Sequence, residues 1–347
     1  MKDNLVITEA IKYVTARETL TNEMMEAAIH EILTGKATQC QIASFLTAMS
    51  TKGETISEIT WAAVGMKKLS IRLLQDHEQG REMDVLEIAG TGGDDSQSFN
   101  ISSTTSIVVS ATGITVVKPG SRANTSRSGT ADVFEALGVD IDVPPEKSLE
   151  LLQSFGFCFL LAQKYAPAMR YVAPVRKELG ISTIFNIIGP LVSPAGAKNL
   201  LLGVFKGELV EPIAEVVSNL GVQNALVVHG QDGLDEISIG APTNVCEVRS
   251  GVLRSYEITP EQFNLRRASK RDILGGTPVE NAAMTRAVLS GESGPRRDIV
   301  LLNSAAAIYV VRPDLTLLQC MDLARDTIDS GSALKKLNRF IELSNMK

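Results

Sequence analysis

The sequence predicts an α/β protein, with a small all-helical domain plus a larger α/β domain built on a mainly parallel central sheet. Three observations lead there. Up to about residue 76 the chain carries Ala, Met, Ile, Leu, Glu and Lys at spacings of three and four, with no convincing strand, the mark of helices with one apolar face. From about residue 84 short apolar runs lead into glycine-bearing turns and then helix starts, the pattern of parallel βα units. At 347 residues the chain is long enough for roughly two domains of about 150 residues each and a cleft between them.

In the helical part, one helix is expected from Glu23 to Leu33, stopping at Gly35. Another starts at Thr55-Ile56-Ser57-Glu58, a capping box in which the Thr55 hydroxyl satisfies a free backbone N–H and Glu58 reaches back. Trp61 and Met66 on that helix read as core or subunit-contact residues. The expected strands are Val85 to Ala89, Ile114 to Val117, Phe157 to Leu161, Leu200 to Phe205 and Ala225 to His229. Helices are expected to begin near Ser102, Ser128, Glu208 and Arg296. The segment from Pro167 to about Pro194 has helical spacing and is expected to leave the sheet and join the N-terminal helices. The division is therefore 1–76 plus about 167–194 for the helical domain, and 77–166 plus about 195–347 for the α/β domain.

Composition narrows the function classes. A net charge of −6 and 5% aromatic residues weigh against nucleic-acid binding, which needs a positive surface to displace counterions and aromatic platforms for stacking. No run of about 18 uncharged apolar residues is present to span a bilayer, and Met1 to Asn4 lack the basic-then-apolar layout of a signal peptide, so a cytoplasmic protein is expected. The four cysteines (Cys40, Cys158, Cys246, Cys320) are far apart and have no neighbouring histidines. That argues against a zinc or disulfide framework and predicts buried free thiols.

Three segments carry chemistry. The strand Val85 to Ala89 runs into Gly90-Thr91-Gly92-Gly93-Asp94, and Asn100, Ser102, Ser103 and Thr104 follow at a helix start. Glycines let backbone N–H groups approach an anion, and the helix N-terminus adds its positive dipole end, so a pyrophosphate fits here. Short oxygen-bearing side chains beside it suit phosphate and a hydrated metal. A second cluster, Lys118-Pro119-Gly120-Ser121-Arg122 with Thr125 to Gly129, places three cations and several hydroxyls on what is expected to be one loop ahead of a helix from Thr130 to Leu137, a second place to hold phosphate. The strand Ala225 to His229 leads into Gly230-Gln231-Asp232-Gly233-Leu234-Asp235-Glu236. Magnesium takes one or two carboxylates plus substrate phosphates, so Asp235 and Glu236 are its candidate ligands.

Taken together, these stretches resemble the anthranilate phosphoribosyltransferase family over nearly the whole chain. The matching segments are Gly90 to Asp94, Asn100 to Ser103, the Lys-x-Gly-x-Arg loop at 118–122, Ser128 to Asp132, Pro167 to Met169, Val175-Arg176, Thr183 to Pro190, His229 to Glu236 and Gly294 to Asn303. The resemblance implies a homodimer formed through the helical parts. It also implies magnesium-dependent transfer of ribose 5-phosphate from 5-phosphoribosyl-1-pyrophosphate to the nitrogen of a small aromatic acceptor, anthranilate first, as in tryptophan biosynthesis. Carried over residue by residue, Gly90, Thr91, Gly92, Gly93, Asp94, Asn100, Ser102, Ser103, Lys118 and Thr125 would hold the donor. Ser102, Asp235 and Glu236 would hold magnesium, and Arg176, Pro190, Ser121 and Pro119 would line the acceptor side. Arg176 favours an acidic acceptor, because a guanidinium grips a carboxylate in a planar fork.

Four positions depart from the family's usual residues: Pro119 replaces histidine, Ser121 asparagine, Ala166 histidine and Ser182 arginine. They leave open a second reading with the same donor and a different, acidic aromatic or heteroaromatic acceptor. A pyrimidine nucleoside phosphorylase-like enzyme and a non-catalytic nucleic-acid-binding relative stay open beside it. No catalytic side chain is assigned, since an aryl amine needs little activation, and His229 at the end of a buried strand reads as structural.

Overall fold

The structure is a computed structural model that describes residues 5–74, 83–123 and 127–346. Met1 to Asn4, the expected domain boundary at 76/77 and Thr125 lie outside the described residues.

Four helices open the chain: α1 (Val6–Thr15), α2 (Asn22–Leu33), α3 (Gln39–Lys52) and α4 (Ile56–Lys68). Each buries residues three and four apart, such as Ile7, Ala10 and Val14 of α1. The Thr55–Glu58 capping box starts α4 as expected. The remaining helices are α5 (Ile101–Ala111), α6 (Thr130–Leu137), α7 (Pro145–Phe155), α8 (Ala162–Tyr165), α9 (Ala173–Leu179), α10 (Ile184–Ile188), α11 (Val210–Asn219), α12 (Pro278–Leu289), α13 (Pro295–Val311), α14 (Leu317–Asp329) and α15 (Ser332–Asn345).

The strands are β1 (Leu86–Gly90), β2 (Val116–Gly120), β3 (Phe157–Leu161), β4 (Asn199–Gly203), β5 (Asn224–Gly230), β6 (Thr243–Arg249) and β7 (Val252–Ile258). They form one sheet in the order β3-β2-β1-β4-β5-β6-β7. The first five pair in parallel, and β6 and β7 add antiparallel at the edge. The chain leaves β1 toward β2 and β3 on one side and later returns to β4 and β5 on the other. The reversal of strand order therefore falls between β1 and β4, and ligands of open α/β sheets bind at such a point, outside the carboxyl ends of the strands.

One apolar cluster includes Ile88, Val108, Phe134, Phe157 and Leu301. A second joins Ile29, Phe45 and Met66 of the N-terminal helices to Ile184 and Ile188 of α10 and to Leu202 and Val227 of the sheet. Trp61 packs half-buried against this second cluster.

Three expectations need correction. The hairpin β6–β7 was not anticipated. Its turn places Ser250 and Gly251 at φ of 47° and 84°, the two left-handed positions that a tight hairpin demands, but Val252 to Ser255 of β7 are all exposed and no apolar alternation marks the strand. Lys118, Pro119 and Gly120 belong to β2 rather than to a loop, because pairing with β3 continues through Gly120. Of the four cysteines, Cys40 is exposed, since α3 buries Ile42, Phe45, Leu46 and Met49 on its other face.

Candidate active site

The site is assembled at the carboxyl ends of β1, β2, β4 and the loop after β5. Gly92 and Gly93 sit at φ of 65° and 77°, a conformation that costs glycine nothing and side-chain-bearing residues up to a few kcal/mol. Thr91 anchors this turn to β4: its N–H donates to Gly203 O at 3.0 Å and its Oγ1 accepts from Phe205 N at 3.0 Å. Asp95 and Gln97, both at φ of 51°, carry the strained backbone onward to α5.

The acidic loop crosses over this turn, and it can do so because β1 and β4 both end in glycine. A Cβ on Gly203 would overlap the carbonyl oxygen of Asp235, and one on Gly90 would lie 2.7 Å from Asp235 Oδ2. Asp94 Oδ2 accepts from Asp235 N at 3.2 Å, Gly92 N donates to Asp235 Oδ2 at 2.7 Å, and Ser102 N at the start of α5 donates to Glu236 Oε1 at 3.2 Å. The glycine turn and the helix N-terminus thus each hold a carboxyl oxygen of the acidic loop, as free backbone N–H groups at such positions can.

Lys118 projects from β2 and is 3% exposed. Its Nζ donates to Ile88 O at 2.9 Å and more weakly to Pro119 O at 3.4 Å. Burial pulls its pKa down, against the attraction of Glu236, Glu87 and Asp235. The two acids move the other way. Burial, with Asp94 nearby, pushes Asp235 up to about 7, and burial together with Asp235 pushes Glu236 up to about 8. Carboxylates crowded in this way repel one another until a cation joins them.

The second basic cluster is different from its expected form. Arg122 is turned outward and donates to Asp132 and, in a fork, to Glu135. Asp132 instead orders this loop, accepting from Ala123 N at 2.8 Å and Gly129 N at 2.9 Å. Ser121 is exposed, and Pro119 half-buried.

Two family models cover the chain: "Glycosyl transferase family, helical bundle domain" over residues 8–70 and "Glycosyl transferase family, a/b domain" over residues 82–334. An anthranilate phosphoribosyltransferase of Lachnoclostridium phytofermentans is 52% identical over 99% of this chain and 100% of its own length. The chain belongs to the anthranilate phosphoribosyltransferase family. A member from Methanobrevibacter smithii is 51% identical over 98% of this chain and 100% of its own. Among solved structures, the Thermus thermophilus anthranilate phosphoribosyltransferase matches with a TM-score of 0.90 at 39% identity, covering 97% of this chain and 99% of that one. The Saccharomyces cerevisiae enzyme in complex with PRPP and Mg matches with a TM-score of 0.89 at 27% identity, covering 99% of both chains.

Within the anthranilate phosphoribosyltransferase fold, the acceptor-side candidates Arg176 and Pro190 lie on the segment that packs against the N-terminal helices, whereas Pro119 and Ser121 lie at the end of β2 beside Lys118. Arg176 of α9 donates through Nη2 to Asn186 Oδ1 at 3.1 Å. It is half-buried, burial lowers its pKa, and among the described residues it has no ion pair. Pro190 follows α10, whose Phe185, Ile187 and Ile188 share an apolar cluster with Ala89 of β1. Ser182 offers its carbonyl to Ser50 Oγ at 3.1 Å, and Ala166 packs against the same cluster.

Several contributors escaped the sequence reading. Asn281 of α12 donates to Asn100 Oδ1 at 2.9 Å, which also accepts from Ser128 Oγ at 3.3 Å. Thr285 meets Thr104 at 3.0 Å. Ser103, already a sequence candidate, keeps a buried hydroxyl with no hydrogen-bond partner among the described residues. His229, as expected, is structural: its Nδ1 lies 2.7 Å from Val204 O.

Proposed function

We propose that this chain is an anthranilate phosphoribosyltransferase, transferring ribose 5-phosphate from 5-phosphoribosyl-1-pyrophosphate to the amino nitrogen of anthranilate, a step of tryptophan biosynthesis. The reading rests on one observation above all. The glycine turn, a buried lysine and an adjacent acidic pair meet at the switch point of the sheet, in a chain that matches anthranilate phosphoribosyltransferases end to end. The same-donor reading with another acceptor, the phosphorylase and the nucleic-acid-binding readings have no comparable support.

The residues fit magnesium. Asp235 and Glu236 are pushed up to about 7 and about 8 by burial, helped by Asp94 beside the first and Asp235 beside the second, and among the described residues no three His, Cys, Asp or Glu side chains form a closed cage. A site with two carboxylates leaves the other positions to substrate phosphates and water, as magnesium prefers. Asp235, Glu236 and Ser102 would hold it, and when bound it neutralises charge developing on the leaving pyrophosphate. The turn from Gly90 to Asp94, with Asn100 and Ser103, would cradle the pyrophosphate through the N–H groups that Gly203 O and Asp235 Oδ2 do not already hold, and Lys118 would add a positive charge. Thr125 is assigned to the same group by its place in the motif. As the bond from ribose C1 to the pyrophosphate oxygen breaks, C1 takes on oxocarbenium character. The aryl amine then forms the new C–N bond and releases its proton. Arg176 would bind the anthranilate carboxylate, with Pro190, Pro119 and Ser121 around the ring. Positioning and electrostatics supply most of the rate in such a scheme.

The chain is further proposed to act as a cytoplasmic homodimer. A groove of about 540 Å³ between α1 and α3, lined by Val14, Ala43, Ala48 and Lys52 among others, offers the helical part a surface for a second copy. Light scattering on the purified protein tests this.

The activity is tested by pyrophosphate release from the donor with magnesium. Turnover is expected with anthranilate and not without it, and the double variant Asp235→Ala, Glu236→Ala is expected to abolish it. Donor binding with no anthranilate turnover would overturn the acceptor assignment.

A further inference from the structure

The acidic loop is also gripped from the side opposite the glycine turn. Asn303 lies in the middle of α13 and is 1% exposed. Ile237 N, immediately after Glu236, donates to Asn303 Oδ1 at 3.0 Å. Asn303 Nδ2 returns a bond to Ile237 O at 3.0 Å and donates its other hydrogen to Ile299 O at 2.9 Å. The amide therefore pairs with both backbone groups of one residue, as a neighbouring strand would. Its neighbours Leu301, Leu302, Ala305 and Ala306 are buried and apolar, and an amide placed among them costs free energy unless it is hydrogen-bonded. Two of its three bonds go to the loop rather than to its own helix.

We propose that Asn303 is a positioning residue for phosphoribosyl transfer. It fixes, through Ile237, the backbone from which Asp235 and Glu236 reach magnesium and pyrophosphate, and in this it rests on the function proposed above. The loop is clamped at two ends. Asp94 holds the Asp235 N–H and the strand-end glycines allow the close approach, while Asn303 sets the exit from Glu236. α13 is a 17-residue helix, buried along most of its length, so it offers a rigid reference. Groups that orient metal ligands from behind typically matter 10–100-fold for metal affinity, and a misplacement of about 1 Å costs on the order of 10²-fold in rate.

The test uses Asn303→Leu, which keeps the branched outline without the polar atoms, and Asn303→Ser, which shortens the reach, each checked for folding by circular dichroism. Binding of the donor with magnesium is measured by calorimetry, and KM is measured for both substrates. The expected result is a rise of about 10–100-fold in half-saturating magnesium and in donor KM, with anthranilate KM within about twofold. Unchanged donor affinity, or equal losses for both substrates, in a folded variant would overturn the proposal. If neither variant folds, hydrogen exchange on the wild-type protein decides. Donor and magnesium are expected to slow exchange of the Ile237 amide several-fold more than that of Val245 in β6, and equal effects would overturn the proposal. Failure of the wild-type protein to bind the donor would sink the functional reading instead, and with it the basis of this one.

Discussion

Gly203 has no side chain, and the acidic loop depends on that. A methyl group there would overlap the Asp235 carbonyl, and backbone cannot step aside as a flexible side chain can. Overpacking of this kind typically costs about 1–3 kcal/mol. Gly203→Ala is therefore expected to lower the denaturant midpoint and to abolish measurable turnover, because the displaced atoms carry the carboxylates. A variant with wild-type activity would show that the loop is not seated as described. Gly90 and Gly203 do the same work, yet only Gly90 was legible in the sequence. Gly90 opens a glycine-rich turn, whereas Gly203 closes the apolar run Leu200-Leu201-Leu202, and its partner lies far along the chain. Lys118 was legible as a phosphate-site cation but not as a buried one, since its burial arises from β2 pairing with both β1 and β3. Asn281 acts through a contact between distant segments that no local pattern announces, and Asn303, though it closes the matching stretch from Gly294, was not legible as a partner of the acidic loop.

The start of α4 shows what one carboxylate does for a group of elements. Glu58 accepts from Leu20 N at 3.0 Å, from Thr55 N at 2.9 Å and from Lys52 Nζ at 2.8 Å, tying the approach to α2, the end of α3 and the cap of α4 together. Burial alone would raise its pKa, but the Lys52 ammonium and the Leu20 and Thr55 N–H groups outweigh that and lower it. A carboxyl with a lowered folded-state pKa stabilises above its unfolded pKa and loses that contribution as pH falls through the folded value. Glu58→Gln leaves the Lys52 side chain, 7% exposed, without its counter-charge, and breaking a buried pair in this way typically costs about 3–5 kcal/mol. Urea unfolding should show this deficit at pH 7 and a shrinking one as pH falls through the lowered folded-state pKa, where the wild-type carboxyl itself becomes protonated. A deficit that persists undiminished in acid would refute the electrostatic account. The local half of this device, Thr55 with Glu58, was plain from four residues of sequence. The half that joins three helices was not, because Leu20 and Lys52 become its neighbours only once the bundle has formed. The β6–β7 hairpin was obscured for a related reason, since a strand whose face is exposed need not alternate.

At the scale of the molecule, the parallel core of the sheet is buried among apolar side chains, and its carboxyl edge gathers Lys118, Asp94, Asp235 and Glu236. Parallel strands covered on both faces read as apolar runs, which is why the sheet was visible in sequence, and the charge of the site lies at the strand ends with Glu87 buried within β1. That concentration has a cost which the protein should show before any ligand binds. Asp235 and Glu236 are pushed up from ordinary values of 3.8 and 4.5 to about 7 and about 8. The folded state therefore holds their protons more tightly than the unfolded chain does. The advantage is complete below the unfolded pKa values and is lost as pH rises through about 7 and about 8, so the metal-free protein is destabilised on that side. Magnesium requires the deprotonated pair, so its affinity should grow over the same interval, and a ligand that binds only the folded state stabilises it by RT ln(1 + [L]/Kd). Thermal unfolding at pH 6 and pH 9, with and without millimolar magnesium, should give a melting temperature that falls with pH in the metal-free protein and a magnesium increment that is larger at pH 9. Asp235→Asn combined with Glu236→Gln should remove the magnesium increment and shrink the fall with pH, leaving the part that burial of Glu87, pushed up to about 7, contributes. An increment equal at the two pH values, or one that survives the double substitution, would place magnesium elsewhere and detach the acidic pair from the chemistry proposed for it.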